Sequence, residues 1–127
     1  MTKDRNKVLA SCHCGSVKIE VKLPKGFDEV LRCNCSICSK GKGFGMICVP
    51  STSVKVIQGT ESITEYTFKS NTAPHFFCKF CGIHTHHKSR ARPDRVCINL
   101  ACLEGFDVHE FNNSLIKFNG INHPKDM

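Results

Sequence analysis

Arg32-Cys33-Asn34-Cys35-Ser36-Ile37-Cys38-Ser39-Lys40 places three thiols within six residues and runs straight into Gly41-Lys42-Gly43-Phe44-Gly45. A C-x-C-x-x-C spacing can direct three sulfurs onto one zinc ion. Three protein ligands leave a fourth tetrahedral position free, which separates catalytic zinc sites from closed structural ones. The glycines that follow let the backbone come close to a metal or a ligand. Lys40 and Lys42 flank the cluster and are candidates for attracting an anionic substrate. This reading depends on whether the remaining thiols are committed elsewhere.

Two more pairs bear on that question. Cys78-x-x-Cys81-Gly82 has the form of a zinc knuckle, and Cys12-x-Cys14-Gly15 is a second compact pair. Each pair supplies two ligands, and a structural zinc takes four. The simplest partition joins Cys12, Cys14, Cys78 and Cys81 in a closed site and leaves Cys33, Cys35 and Cys38 as an open one. The alternative is a single four-thiolate site built on Cys33, Cys35 and Cys38 plus one other thiol. Spacing alone leaves both open.

Ten cysteines in 127 residues approach the density of a disulfide scaffold. Their clustering suits chelation in a reducing compartment better than cross-linking. The polar stretch Met1 to Lys7 has no apolar segment of signal-peptide type. A cytoplasmic protein is expected, a nuclear one being compatible. No apolar run reaches the roughly 18 residues of a membrane span. The formal charge is +7. Seven thiolates holding two zinc ions lower it by three, to about +4. With no clustered aromatic and basic platform, nucleic acid is not the expected partner.

Along the chain, Val8-Leu9-Ala10 reads as a short strand, and Val17, Ile19, Val21 and Leu23 alternate with charged residues in another. Pro24-Lys25-Gly26 is a turn. Strands are expected from Asp28 to Cys33, Gly45 to Val49, Val54 to Gln58, Ile63 to Phe68, Ile83 to His87 and Val96 to Leu100, with one helical turn from Cys35 to Lys40. The stretch after Leu103 has little periodicity. The expectation is a mostly β single domain: a lead-in over 1–10, a zinc domain over 11–120 and a tail over 121–127.

Three motifs in order, Cys12-His13-Cys14-Gly15, then Cys33-Asn34-Cys35-Ser36-Ile37-Cys38-x-Lys40, then Phe77-Cys78-Lys79-Phe80-Cys81-Gly82, carry a family resemblance. Val49-Pro50, Gly59-Thr60-Glu61-x-Ile63-Thr64-x-Tyr66, Asn99-Leu100-x-Cys102-Leu103-Glu104-Gly105 and Phe118-Asn119-Gly120 extend it. The chain resembles the glutathione-dependent formaldehyde-activating enzyme family, which also contains centromere protein V. The resemblance implies a β-tent fold and two zinc ions, a structural one on Cys12, Cys14, Cys78 and Cys81 and a catalytic one on Cys33, Cys35 and Cys38. It implies carbon–sulfur lyase or synthase chemistry on a small thiol adduct such as S-(hydroxymethyl)glutathione. Ser39-Lys40 and Gly41-Lys42-Gly43 depart from the usual enzyme sequence. Asn34 to Cys38 and Val49 to Phe68 look closer to the centromere protein V branch. The alternative function is accordingly a non-enzymatic binding module.

Other residues have two readings each. His75 is an accessory candidate, as ligand or proton shuttle, against a role in capping a strand. His84 and His86 share one face of a regular strand, as an exposed pair or as metal ligands. Cys48, Cys97 and Cys102 are expected as buried thiols, against a role as a fourth ligand or a redox thiol. Lys88, Arg90, Arg92 and Arg95 form a basic loop, solvated or clamping carboxylates.

Overall fold

Lys18, Glu20 and Lys22 alternate with Ile19 and Val21, and the two apolar side chains are fully buried. The computed structural model describes residues 7–22, 30–41, 43–68, 73–90, 92–105, 115–119 and 121. The turn at Pro24-Lys25-Gly26, Lys42, most of the lead-in and of the tail, and Phe106, Val108 and Phe111 lie outside them.

The strands are β1 (Lys7–Ser11), β2 (Lys18–Lys22), β3 (Val30–Cys33), β4 (Met46–Pro50), β5 (Val54–Gln58), β6 (Ile63–Tyr66), β7 (His75–Cys78), β8 (His84–Lys88), β9 (Arg95–Asn99) and β10 (Leu115–Phe118), with one short helix, α1 (Ser36–Gly41). A three-stranded sheet has the order β1-β2-β5, and a seven-stranded sheet has the order β10-β3-β4-β9-β8-β7-β6. All pairings are antiparallel except β10 with β3. The fold is mostly β, as the sequence predicts. Two strands went unread: β7, whose four residues form a run too short for a period, and β10, in the aperiodic tail. Leu100 leaves β9 and opens a 3-10 turn, because the Asn99 side chain accepts the Ala101 N–H and bends the chain.

The larger sheet has two unlike faces. Ile47, Val49, Val96 and Ile98 pack with Ala10, Val17, Ile19 and Val21 into the main core between the sheets. Burial of each such aliphatic side chain contributes about 1.5–3 kcal/mol. The opposite face carries Cys33, Cys38, Met46 and Cys97, with Leu31, Cys35, Ile37 and Cys48 packed on them. Strand β9 is central and buried on both faces from Val96 to Asn99, so it reads as a nearly continuous apolar run. The small sheet is also tied to the segment that follows β9 and its 3-10 turn. Ala10 bridges Leu103, and the Glu104 N–H donates to the Leu9 carbonyl.

Candidate metal and active site

The four thiols of the first cluster come from two turns. Cys12 and Cys14 lie in the turn between β1 and β2, where the Gly15 N–H bonds the Cys12 carbonyl. Cys78 ends β7, and Cys81 follows in a turn closed by the Gly82 N–H on the Cys78 carbonyl. The four sulfurs lie within 4.8 Å of one another. The Cys12–Cys14 and Cys14–Cys78 sulfur pairs are 3.7 Å apart. Zinc–sulfur bonds of about 2.3 Å in a tetrahedron imply edges of about 3.8 Å, so this donor set fits one zinc-sized ion. Cys12 and Cys78 belong to the main core, so the cluster staples the small sheet to the large one.

Backbone N–H groups are directed at these sulfurs. Val17 donates to Cys12, and Phe80 and Cys81 donate to Cys78. The Ser16 hydroxyl, above all, holds the Cys14 thiol below its ordinary value. Burial dominates at Cys78 and raises it. Burial also opposes ionisation of Cys81, but the Cys14 and Ile83 N–H groups with the Cys78 and Cys12 thiols outweigh it and take Cys81 to about 6. Hydrogen bonds favour the charged form that they contact, and desolvation disfavours it.

The second cluster has three members among the described residues, Cys33, Cys35 and Cys38, again within 4.8 Å. Cys33 ends β3 and Cys38 sits on α1, whose Ser39 N–H reaches back to the Cys35 carbonyl. Cys33 and Cys38 are buried and Cys35 is half-buried. Bonds from the Cys33 and Cys38 thiols pull Cys35 down to about 2, while Cys33 is raised, first by its bond to Cys35. The cluster therefore holds thiolate character on Cys35 even without a cation. The Asn34 side chain holds the C-terminal segment, its amide N–H donating to the Asn119 side-chain oxygen and its own oxygen accepting the Ile121 N–H.

A cavity of about 310 Å3 lies against the same helix, lined by Ile37, Lys40, Gly41, Tyr66, His75, Phe77, Gly82 and His84. Lys40 and His75 thus share one chamber. His75 groups with His84 and His87.

Two expectations are corrected. Cys48 and Cys97 are joined in a disulfide, with their Cα atoms 4.0 Å apart, and are not separate thiols. They stand directly opposite in the β4–β9 register, where side chains on one face of an antiparallel pair come closest. None of the seven clustered cysteines is in a disulfide, nor is the buried Cys102, whose thiol donates to the His84 carbonyl. His84 and His86 are also not an exposed pair on one face. Thr85 is an extra residue in the β7–β8 ladder, since Phe76 pairs with His86 and Phe77 with His84. A bulge shifts the two-residue period by one. His86 is buried against Phe76, and His84 shares its face with His87, which period-two reading misses. In the basic loop, the Arg95 guanidinium donates to the Cys48 carbonyl, while Lys88 and Arg92 are exposed.

The family model for the glutathione-dependent formaldehyde-activating enzyme matches residues 7–117. A relative from Penicillium rubens, named "putative glutathione-dependent formaldehyde-activating enzyme", is 29% identical over 91% of this chain. One of the same name from Emericella nidulans is 32% identical over 59% of it. The aligned region spans 65% and 39% of those two relatives, respectively. A crystal structure of a Rhodobacter sphaeroides protein superposes with a TM-score of 0.79 at 37% identity, covering 87% of this chain and 99% of that one. The chain belongs to the glutathione-dependent formaldehyde-activating enzyme family.

Proposed function

We propose that the chain is a zinc-dependent carbon–sulfur lyase or synthase that makes or breaks a small thiol adduct of the S-(hydroxymethyl)glutathione type. The observation carrying this reading is the three-member cluster of Cys33, Cys35 and Cys38 beside a chamber, set apart from a complete four-thiol cluster. A zinc ion on Cys33, Cys35 and Cys38 would supply a Lewis acid and a vacant position for a thiol sulfur. Cys12, Cys14, Cys78 and Cys81 would hold the second, structural zinc. In the synthetic direction the thiol sulfur gives its electron pair to the formaldehyde carbon, forming the carbon–sulfur bond. The carbonyl π bond breaks, and the proton lost by sulfur ends on the oxygen. The reverse reaction returns both reactants.

The chain's own residues supply positioning. Lys40 on the cavity wall offers a charge to a carboxylate of the thiol peptide. Ile37 and Phe77 make part of the wall apolar and limit water near the adduct. Holding thiol and aldehyde together replaces a bimolecular encounter with a positioned one.

The test combines zinc quantification with NMR of labelled formaldehyde exchanging with glutathione. Two zinc ions on the cysteine clusters and catalysed exchange are expected, and Cys35→Ser abolishes exchange while leaving the amide spectrum dispersed. Exchange at the uncatalysed rate in the zinc-loaded wild type sinks the enzymatic reading and leaves a binding module. If Cys35→Ser unfolds the chain, the central cluster is structural.

A further inference from the structure

The bulge at Thr85 creates a third group of ligand atoms, remote in kind from the cysteines. In register, Tyr66 pairs with His75, His75 with His87, His87 with Cys97 and Cys97 with Cys48. Directly paired residues share a sheet face, so this row crosses the face that also carries Cys33 and Cys38. His84 joins it because Phe77, its partner, lies two residues from His75 on that face. One ring nitrogen from each of His75, His84 and His87 lies within 4.8 Å of the other two. The His75 ring centroid is 4.8 Å from that of His87 and 5.4 Å from that of His84. His75 and His87 are buried, at 4% and 7% exposure, and His84 is half-buried.

We propose that His75, His84 and His87 form a third metal site, for a divalent cation of the zinc, cobalt, nickel or copper class. Imidazole is a preferred donor for these ions. Three protein nitrogens leave a position open, as in sites that keep a water or an anionic ligand. That position opens onto the chamber that His75 and His84 line with Tyr66, Phe77 and Lys40. Among the described residues no carboxylate lines the chamber, which disfavours calcium and magnesium. The Lys40 charge favours an anionic exogenous ligand over a neutral one. Strand β8 fixes two of the donors and β7 the third, so little side-chain freedom is lost on binding. Gly41 is part of the arrangement: a Cβ there would collide with the Nδ1 of His84, so the bare Cα leaves the ring its place. The site shares the chamber and Lys40 with the chemistry proposed for the cysteines, but its ligand atoms are separate from theirs.

The experiment is cobalt(II) titration of the full chain, compared with His84→Ala and His87→Phe. The second variant keeps a buried ring while removing the donor. The expected result is one fewer cobalt per chain in each variant, with the thiolate-to-cobalt charge-transfer absorbance unchanged, since that absorbance reports only the cysteines. Zinc titration followed by long-range proton–nitrogen spectra should move the ring signals of all three histidines. Equal cobalt content in wild type and His84→Ala, or ring signals that do not move, overturns the site. If His87→Phe does not fold, His84→Ala at its half-buried position decides alone.

Discussion

At the scale of single residues, the thiols divide by what points at them. Cys35 receives two thiol hydrogen bonds and is held at about 2, and Cys81 is held at about 6, whereas Cys33 and Cys78 are raised. A lowered thiol stays a thiolate as pH falls until its own pKa is reached, and a raised one is protonated at neutral pH. The thiolate is the nucleophile. In metal-free protein, alkylation of Cys35 by iodoacetamide therefore persists to acid pH and that of Cys81 falls by half near pH 6. Cys33 and Cys78 should need alkaline pH. Peptide mapping by mass spectrometry measures all four at once. Loss of Cys35 labelling at the pH where Cys81 fades contradicts the assignment.

Among elements, the turns show where the chain tolerates no side chain. Gly59 has φ +82°, and a Cβ there would overlap the Ser16 carbonyl of the neighbouring turn. Gly82 has a similar φ of +77° with nothing within 4 Å. The left-handed conformation alone costs about 1 kcal/mol for a non-glycine residue. Gly82→Ala should lose about that amount and Gly59→Ala clearly more, since backbone rather than a flexible tip must move. Denaturant titrations of the pair check the order, and equal losses would place Ser16 elsewhere.

Strands such as β2 were legible because Ile19 and Val21 alternate with charges against one core. The three-thiol cluster was legible because its members are close in sequence, and the four-thiol one as two compact pairs whose union spacing alone left open. What stayed hidden depends on pairing. The disulfide follows from Cys48 meeting Cys97 across 49 residues, and the histidine group from one bulge that turns His87 towards His84. No local period encodes either.

For the whole molecule, the two-faced sheet separates the clusters: the four-thiol cluster borders the core between the sheets through Cys12 and Cys78, and the three-thiol and histidine groups are on the opposite face. The Cys48–Cys97 link lies between those two groups in the register, holding β4 to β9. By loop-closure entropy, a link spanning 49 residues contributes up to about 4 kcal/mol. Replacing both cysteines with alanine should lower unfolding free energy by about 2–4 kcal/mol and leave the metal content of the three-thiol cluster unchanged. A loss of that metal would show that the link also shapes the cluster.

The two thiol groups also differ in how much chain must be folded before they exist. Cys33, Cys35 and Cys38 span six residues, so a nascent or denatured segment can still gather them around a cation at small loop-closure cost. Cys14 and Cys78 are 64 residues apart and meet only once both sheets are in place. The edge pairing of β10 with β3 lies at still longer range. Contacts of such range form late and slow folding. During folding, the three-thiol segment is therefore expected to acquire metal first, and the four-thiol staple to close later. In a denaturant series on cobalt-loaded protein, part of the thiolate absorbance should outlive the tertiary structure, and the rest should vanish with it.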